Sequence, residues 1–172
     1  MRLSVIILLI LLSINGCANK SDSQLYTEGK EAEARKDFLS AAESYEEVVE
    51  RFKTGAYAES SLSRLAYMYN NDIKDKQKAL EAYKKFYRTF PSSSQAPTML
   101  FLSAFIYNNE FNNEPAMLDS ARREYELFLE KYPEHELASS AKFELENLGK
   151  SPDELIMKQP PTAEKDKKAP AK

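Results

Sequence analysis

The stretch ALEAYKKFYRTFP, residues 79–91, places an aromatic residue four positions after a small one and an apolar pair at +7 and +8. Two other stretches follow this pattern, AAESYEEVVERFK at residues 41–53 and ARREYELFLEKYP at residues 121–133. An aromatic residue at +11 closes each copy, and in two of them a proline, which stops a helix, comes next. Spacings of 4, 7, 8 and 11 trace one face of an α-helix. The sequence therefore predicts three similar amphipathic helices.

A second amphipathic segment precedes each of these helices. SLSRLAYMY from residue 61 aligns with MLFLSAFIY from residue 99, 38 positions later. The matched residues are Leu62 with Leu100, Ala66 with Ala104, and Tyr69 with Tyr107, and the first copy has Leu25, Gly29 and Ala32 in these places. Each copy is therefore expected to be a pair of helices joined by a turn.

These pairs resemble the tetratricopeptide repeat, whose signature W-x2-L-G-x2-Y … A-x3-F … P they follow in part. The A-x3-F element corresponds to Ala41/Tyr45, Ala79/Tyr83 and Ala121/Tyr125. The copies repeat after 38 and 42 residues, a longer period than that of the family. The resemblance implies an all-α fold, a right-handed solenoid of about three helix-turn-helix repeats.

A further helix, over about residues 136–148, follows the third copy. Its outer face carries Lys142, Glu144 and Glu146, as expected of a helix that caps the end of a solenoid. We therefore expect the repeat domain with its capping helix to span residues 22–149. Residues 150–172 begin with a short turn and continue as a Lys/Pro/Ala tail without periodicity, which predicts disorder.

Residues 1–16 have the features of a lipoprotein signal peptide. Arg2 is followed by an apolar stretch of twelve positions, which is too short to span a bilayer and fits the core of a signal peptide. Ile14-Asn15-Gly16-Cys17 then resembles the lipobox of bacterial lipoproteins. The resemblance implies cleavage before Cys17, a diacylglycerol and an N-acyl chain on that residue, and a lipidated linker over residues 17–21. Two acyl chains anchor a protein stably to a membrane.

The composition excludes several kinds of site. One cysteine and one histidine, His135, cannot form an internal disulfide, a CxxC motif or a multi-histidine zinc site. The sequence contains no GxSxG, P-loop or GxGxxG motif, and its net charge of −3 gives no indication of a nucleic-acid partner. We expect no enzymatic activity, no catalytic residues, no metal, and no cofactor other than the covalent lipid.

The repeat resemblance also implies a partner-binding groove, because the first helix of each repeat lines the concave side of such a solenoid. The candidate groove residues are Tyr26, Arg64, Tyr67, Asn70, Phe101, Phe105 and Asn108. Aromatic walls with a few amides and an arginine suit an extended or helical peptide. However, asparagines also end helices, and the capping helix can cover the aromatic rings. The sequence leaves open whether these positions form a groove or fill space.

Repeats together with a lipobox resemble BamD-like outer-membrane lipoproteins first and CpoB-like periplasmic proteins second. The first resemblance implies a scaffold in outer-membrane protein assembly. Such a scaffold is lipid-anchored in the outer membrane, faces the periplasm and binds envelope proteins or peptide segments. The second implies a coordinator of cell-wall synthesis or envelope constriction. BamD-like proteins have more repeats than this chain and CpoB-like proteins lack the anchor, so both alternatives stay open.

Overall fold

The computed structural model describes residues 19–150 and residue 154. In this part of the chain, regular structure is entirely helical: α1 (Asp22–Ala34), α2 (Phe38–Arg51), α3 (Ala58–Met68) with a π-helical turn (Tyr69–Ile73), α4 (Lys76–Thr89), α5 (Ala96–Glu110), α6 (Pro115–Lys131) and α7 (Ala138–Glu146). Helix α1 packs on α2, and α5 packs on α6. The prediction of an all-α chain of tetratricopeptide-like hairpins is confirmed. The predicted signal peptide, Cys17 and the tail beyond residue 154 lie outside the described residues.

The chain forms two compact units, divided in sequence after Ala82, within α4. In the first unit, helices α1, α2 and α3 enclose Leu25 and Tyr45, and in the second, α5, α6 and α7 enclose Met99 and Tyr125. A Cβ atom at Gly29 would lie 2.6 Å from the Tyr45 ring. Glycine in α1 is therefore required by the close approach of the buried tyrosine of α2.

The three turns between repeats have the same hydrogen bonds. After α2, the Gly55 amide donates to the Phe52 carbonyl (2.7 Å), and the Ala58 amide donates to the Gly55 carbonyl (3.1 Å). After α4, the Ser93 amide donates to the Phe90 carbonyl and the Ala96 amide to the Ser93 carbonyl, both at 3.0 Å. After α6, the His135 amide donates to the Tyr132 carbonyl (3.1 Å) and the Ala138 amide to the His135 carbonyl (2.8 Å). The aromatic residue that closes each copy thus starts a turn that ends at a buried alanine of the next helix.

Helix α7 is therefore built as the first helix of a fourth repeat. Where α5 has the buried Leu100 and Ala104, the equivalent positions of α7 hold the exposed Lys142 and Glu146. The structure places α7 over Ala138–Glu146, two residues shorter at each end than the predicted range of 136–148. A polar face at these positions is what a terminal helix requires, because no further helix covers it in the described residues.

Two turns within repeats also match each other. Lys36 (φ 61°) and Lys74 (φ 62°) adopt the left-handed conformation, and the aspartate that follows each caps the next helix. Lys36 comes four residues after Ala32. Lys74 comes five residues after Tyr69, the residue that matches Ala32, so the second turn contains one extra residue. The π-helical turn takes up this extra residue, since a π turn inserts one residue into an α-helix without ending it.

Candidate partner-binding surface

The seven predicted groove residues are divided between the two units, four in the first and three in the second. In the first unit, Arg64 is paired with Glu33 of α1. The guanidinium Nε donates to Glu33 Oε2 at 2.6 Å, Nη2 donates to Oε1, and the Tyr45 hydroxyl donates to Oε2 at 3.0 Å. Burial, reinforced by the Glu33 hydrogen bond, raises the pKa of Tyr45. The charge of Arg64 is thus already matched by a carboxylate of its own chain.

Tyr26 lies in an aromatic cluster at the N-terminal end of the first unit. Its ring stacks on that of Tyr57, with centroids 4.8 Å apart, and tilts against Tyr45 at 5.7 Å. Tyr26 and Tyr57 line an open cleft of about 470 Å³ together with Lys30. Tyr57 was not among the predicted groove residues, because it precedes α3 and lies outside the helical pattern.

Tyr67 and Asn70 are both half-buried. Burial raises the pKa of Tyr67. Asn70 lies in the π-helical turn, where its side chain donates to Asn71 Oδ1 at 2.9 Å and accepts from Lys76 Nζ at 2.9 Å. The amide of Asn70 is therefore held by one neighbour in the turn and by the first residue of α4.

In the second unit, Phe101 and Asn108 are largely covered by the chain itself. Phe101 is 8% exposed and packs edge-on against the rings of Tyr125 and Phe128. Asn108 is 7% exposed. It donates to Glu144 Oε2 at 3.0 Å and accepts from the Gly149 amide at 3.0 Å, which joins α5 to α7 and the residues after it. Less than a tenth of either side chain is available to a partner.

Two phenylalanines of the second unit remain exposed. Phe105 of α5 is 38% exposed and Phe143 of α7 is 53% exposed. In each case an asparagine four residues later donates to the phenylalanine carbonyl, Asn109 at 2.9 Å and Asn147 at 2.8 Å. We call Phe105 and Phe143 with these two amides the phenylalanine surface. Phe143 was not among the predicted groove residues. It lies 42 residues after Phe101, the same distance that separates the second copy from the third, and this period could have identified it.

The second unit also contains a half-buried carboxyl group, that of Glu124 in α6. The Ser103 hydroxyl has two acceptors within reach, the Leu100 carbonyl at 2.9 Å and Glu124 Oε2. A hydroxyl carries one hydrogen, so both contacts are good hydrogen bonds at once only when Glu124 is protonated and donates to Ser103. Burial raises the pKa of Glu124 and favours this neutral form. A hydrogen bond donated by Ser103 to the ionised carboxylate, and the charges of Lys84, Arg123 and Arg88, act in the opposite direction but do not outweigh burial.

We expect Glu124→Gln to raise the melting temperature at neutral pH, because an amide donates to Ser103 as the protonated acid does and carries no charge. A carboxyl group whose pKa is higher in the folded than in the unfolded state stabilises the fold at low pH and loses that contribution as pH rises through the folded pKa. The wild type should therefore approach the variant as pH falls. Thermal melts across pH test this, with Glu126→Gln, exposed on the same helix, as the control. A variant less stable than the wild type at neutral pH would contradict it.

The described residues contain no group of three or more His, Cys, Asp or Glu side chains placed to hold a metal ion. Within that same part of the chain, every helix is too short or too polar to cross a membrane.

The family model described as "YfiO: Outer membrane lipoprotein" matches residues 18–151, a range that contains all seven helices of the described residues. The chain belongs to the YfiO family of outer membrane lipoproteins. No curated protein sequence matches it significantly. Membership of the YfiO family agrees with the sequence resemblance to outer-membrane lipoproteins and does not separate the BamD-like from the CpoB-like alternative.

Proposed function

We propose that the chain is a lipid-anchored scaffold for protein–protein interactions on the periplasmic side of the outer membrane, BamD-like, in outer-membrane protein assembly. The match to the outer membrane lipoprotein family carries this proposal. The lipobox supports it, since lipid on Cys17 would hold the repeats at the membrane.

The partner is captured, in this proposal, by the phenylalanine surface. Phe105 and Phe143 are among the three large hydrophobic side chains that are exposed in the described residues. The Asn108–Glu144 hydrogen bond joins α5 to α7, the helices that carry the two rings, and both helices pack on α6. Aromatic anchors suit a peptide segment, because exposed rings supply the apolar contact in which binding energy concentrates.

We expect Phe105→Ala with Phe143→Ala to weaken partner capture by about 30-fold or more, because truncating one binding hot spot costs ~2 kcal/mol. The measurement is crosslinked co-purification of the full chain from membranes in mild detergent, with the wild type and the double variant compared at equal abundance. Leu39→Ala is the matched control, since Leu39 is a 67% exposed hydrophobic residue of the first unit.

The identity of the captured proteins tests the rest of the proposal. Recovery of outer-membrane assembly components that the double variant loses and the control keeps would support it. Recovery of cell-wall synthases in their place would support the CpoB-like alternative. A folded double variant that retains every partner would rule out the phenylalanine surface as the binding site.

A further inference from the structure

The second unit contains a small apolar cleft that shares no lining residue with the phenylalanine surface. It lies among the C-terminal part of α4, the middle of α5 and α6, and has a volume of about 160 Å³. Leu100, Leu127 and Tyr87 supply its apolar lining. Leu100 is buried, whereas Leu127 and Tyr87 are half-buried, so the cleft has a closed floor and an accessible mouth.

The cleft also carries positive charge. Lys84 and Arg88 of α4 line it, and Arg123 of α6 lies close enough to act on the pKa of the cleft's Glu124. Lys84 is held in place, because its Nζ donates to the Tyr107 hydroxyl at 2.6 Å and lies 5.0 Å from the centre of that ring. Arg88 is exposed. A partner that enters the cleft therefore meets an apolar floor with cations beside it.

The one acidic group of the lining does not cancel this charge. Glu124 is half-buried in the wall of the cleft and its Oε2 contacts the Ser103 hydroxyl. Even when Glu124 is ionised, the two cations in the lining outnumber it. The electrostatic complement of the cleft is thus a ligand with negative charge around an apolar group.

We propose that this cleft binds one bulky aliphatic side chain of a partner protein segment that carries acidic residues on both sides of it. The volume is on the scale of a single large side chain and too small for a helix. The aliphatic group would be buried against Leu100 and Leu127, and the flanking carboxylates would pair with Lys84 and Arg88. A peptide is favoured over a small fatty acid, because the carboxylates of a peptide stand outside the apolar floor, away from Glu124.

The test is a titration of the full chain in lipid nanodiscs, with its leucine methyl groups labelled for NMR. The probe is the capped pentapeptide Glu-Glu-Leu-Glu-Glu. The methyl signals of Leu100 and Leu127 should shift with added peptide, whereas that of the exposed Leu39 should not. Replacing the central leucine of the probe by alanine should weaken binding about tenfold, because much of the buried apolar area is lost. A probe with lysines in place of the glutamates should not bind.

Arg88→Glu should weaken binding of the acidic probe about tenfold, whereas Arg122→Glu, exposed on α6 and outside the cleft lining, should leave it unchanged. Both substitutions are at exposed positions, and circular dichroism of each variant checks that the fold is kept. Equal affinity for the alanine probe would show attraction by charge alone and overturn the proposal. Displacement of the acidic probe by octanoate at lower concentration than the probe itself would assign the cleft to anionic amphiphiles and also overturn it.

Discussion

Phe128→Ala is expected to destabilise the chain by about 3–5 kcal/mol, the range for removing a buried phenylalanine from a packed core. Phe128 is fully buried at the +7 position of the third copy. Its ring lies 5.9 Å from that of Phe101, 5.6 Å from Tyr132 and 5.5 Å from His135, centroid to centroid. The variant leaves a cavity where α5, α6 and the following turn meet. Because proteins of this size are stable by only ~5–15 kcal/mol, the melting temperature should fall sharply.

The same substitution at Phe143 provides the matched control. Phe143 is 53% exposed, so Phe143→Ala removes little buried area and should change the free energy of unfolding by less than about 0.5 kcal/mol. Urea unfolding followed by the helical circular-dichroism signal measures both variants in the same detergent. Equal losses for the two variants would mean that Phe143 also belongs to a core, and that the phenylalanine surface is not a surface.

Cys17→Ala is expected to abolish lipid attachment completely, because the thiol is the nucleophile that would accept the diacylglycerol. Cleavage of such precursors follows lipidation, so the variant should accumulate as a larger precursor in the inner membrane. Cells labelled with a radioactive fatty acid and fractionated by membrane show both effects. Ser13→Ala, four residues earlier in the predicted signal peptide, keeps the thiol and should incorporate label as the wild type does.

If the wild-type chain takes up no labelled fatty acid, Ile14-Asn15-Gly16-Cys17 does not act as a lipobox, and the proposed anchoring at the membrane fails with it. In that case the binding test at Phe105 and Phe143 would be made on whole-cell extract in place of membranes, because both residues lie in the second unit and outside the predicted signal peptide. The two parts of the proposed function can therefore be judged separately.

The sequence pattern determined the helical hairpins and much of their core. Tyr45, Tyr83 and Tyr125, each four positions after a small residue, are all fully buried. Residues at +4 and +7 share one helix face whatever the neighbouring helix is, so a local period is enough to assign them to the core. The aromatic residues at +11 lie on the same face but are only half-buried, because they start the turns. The closing aromatics likewise mark three turns that proved to have the same hydrogen bonds.

The candidate site could be predicted less well. The helical period made Phe101 and Phe105 candidates for the same groove. It could not show that Tyr125 and Phe128 cover Phe101 while Phe105 stays 38% exposed. Four positions separate these residues, which is one turn of a helix. How far a ring on that face is covered depends on which side chains of the next helices reach it.

Pairing between distant residues was decided only by the tertiary structure. The sequence left open whether Arg64 lines a groove or fills space. The fold pairs Arg64 with Glu33, 31 positions earlier, and brings Ser103 of α5 to Glu124 of α6. Helix periodicity is a property of the local backbone and can be counted along the chain. The partner of a charged or polar side chain is set by how the helices pack, because hydrogen bonds and ion pairs form only over a few ångströms. The sequence alone therefore determined the repeat and its buried tyrosines, and the packing of the helices decided which groove candidates are left free to meet a partner.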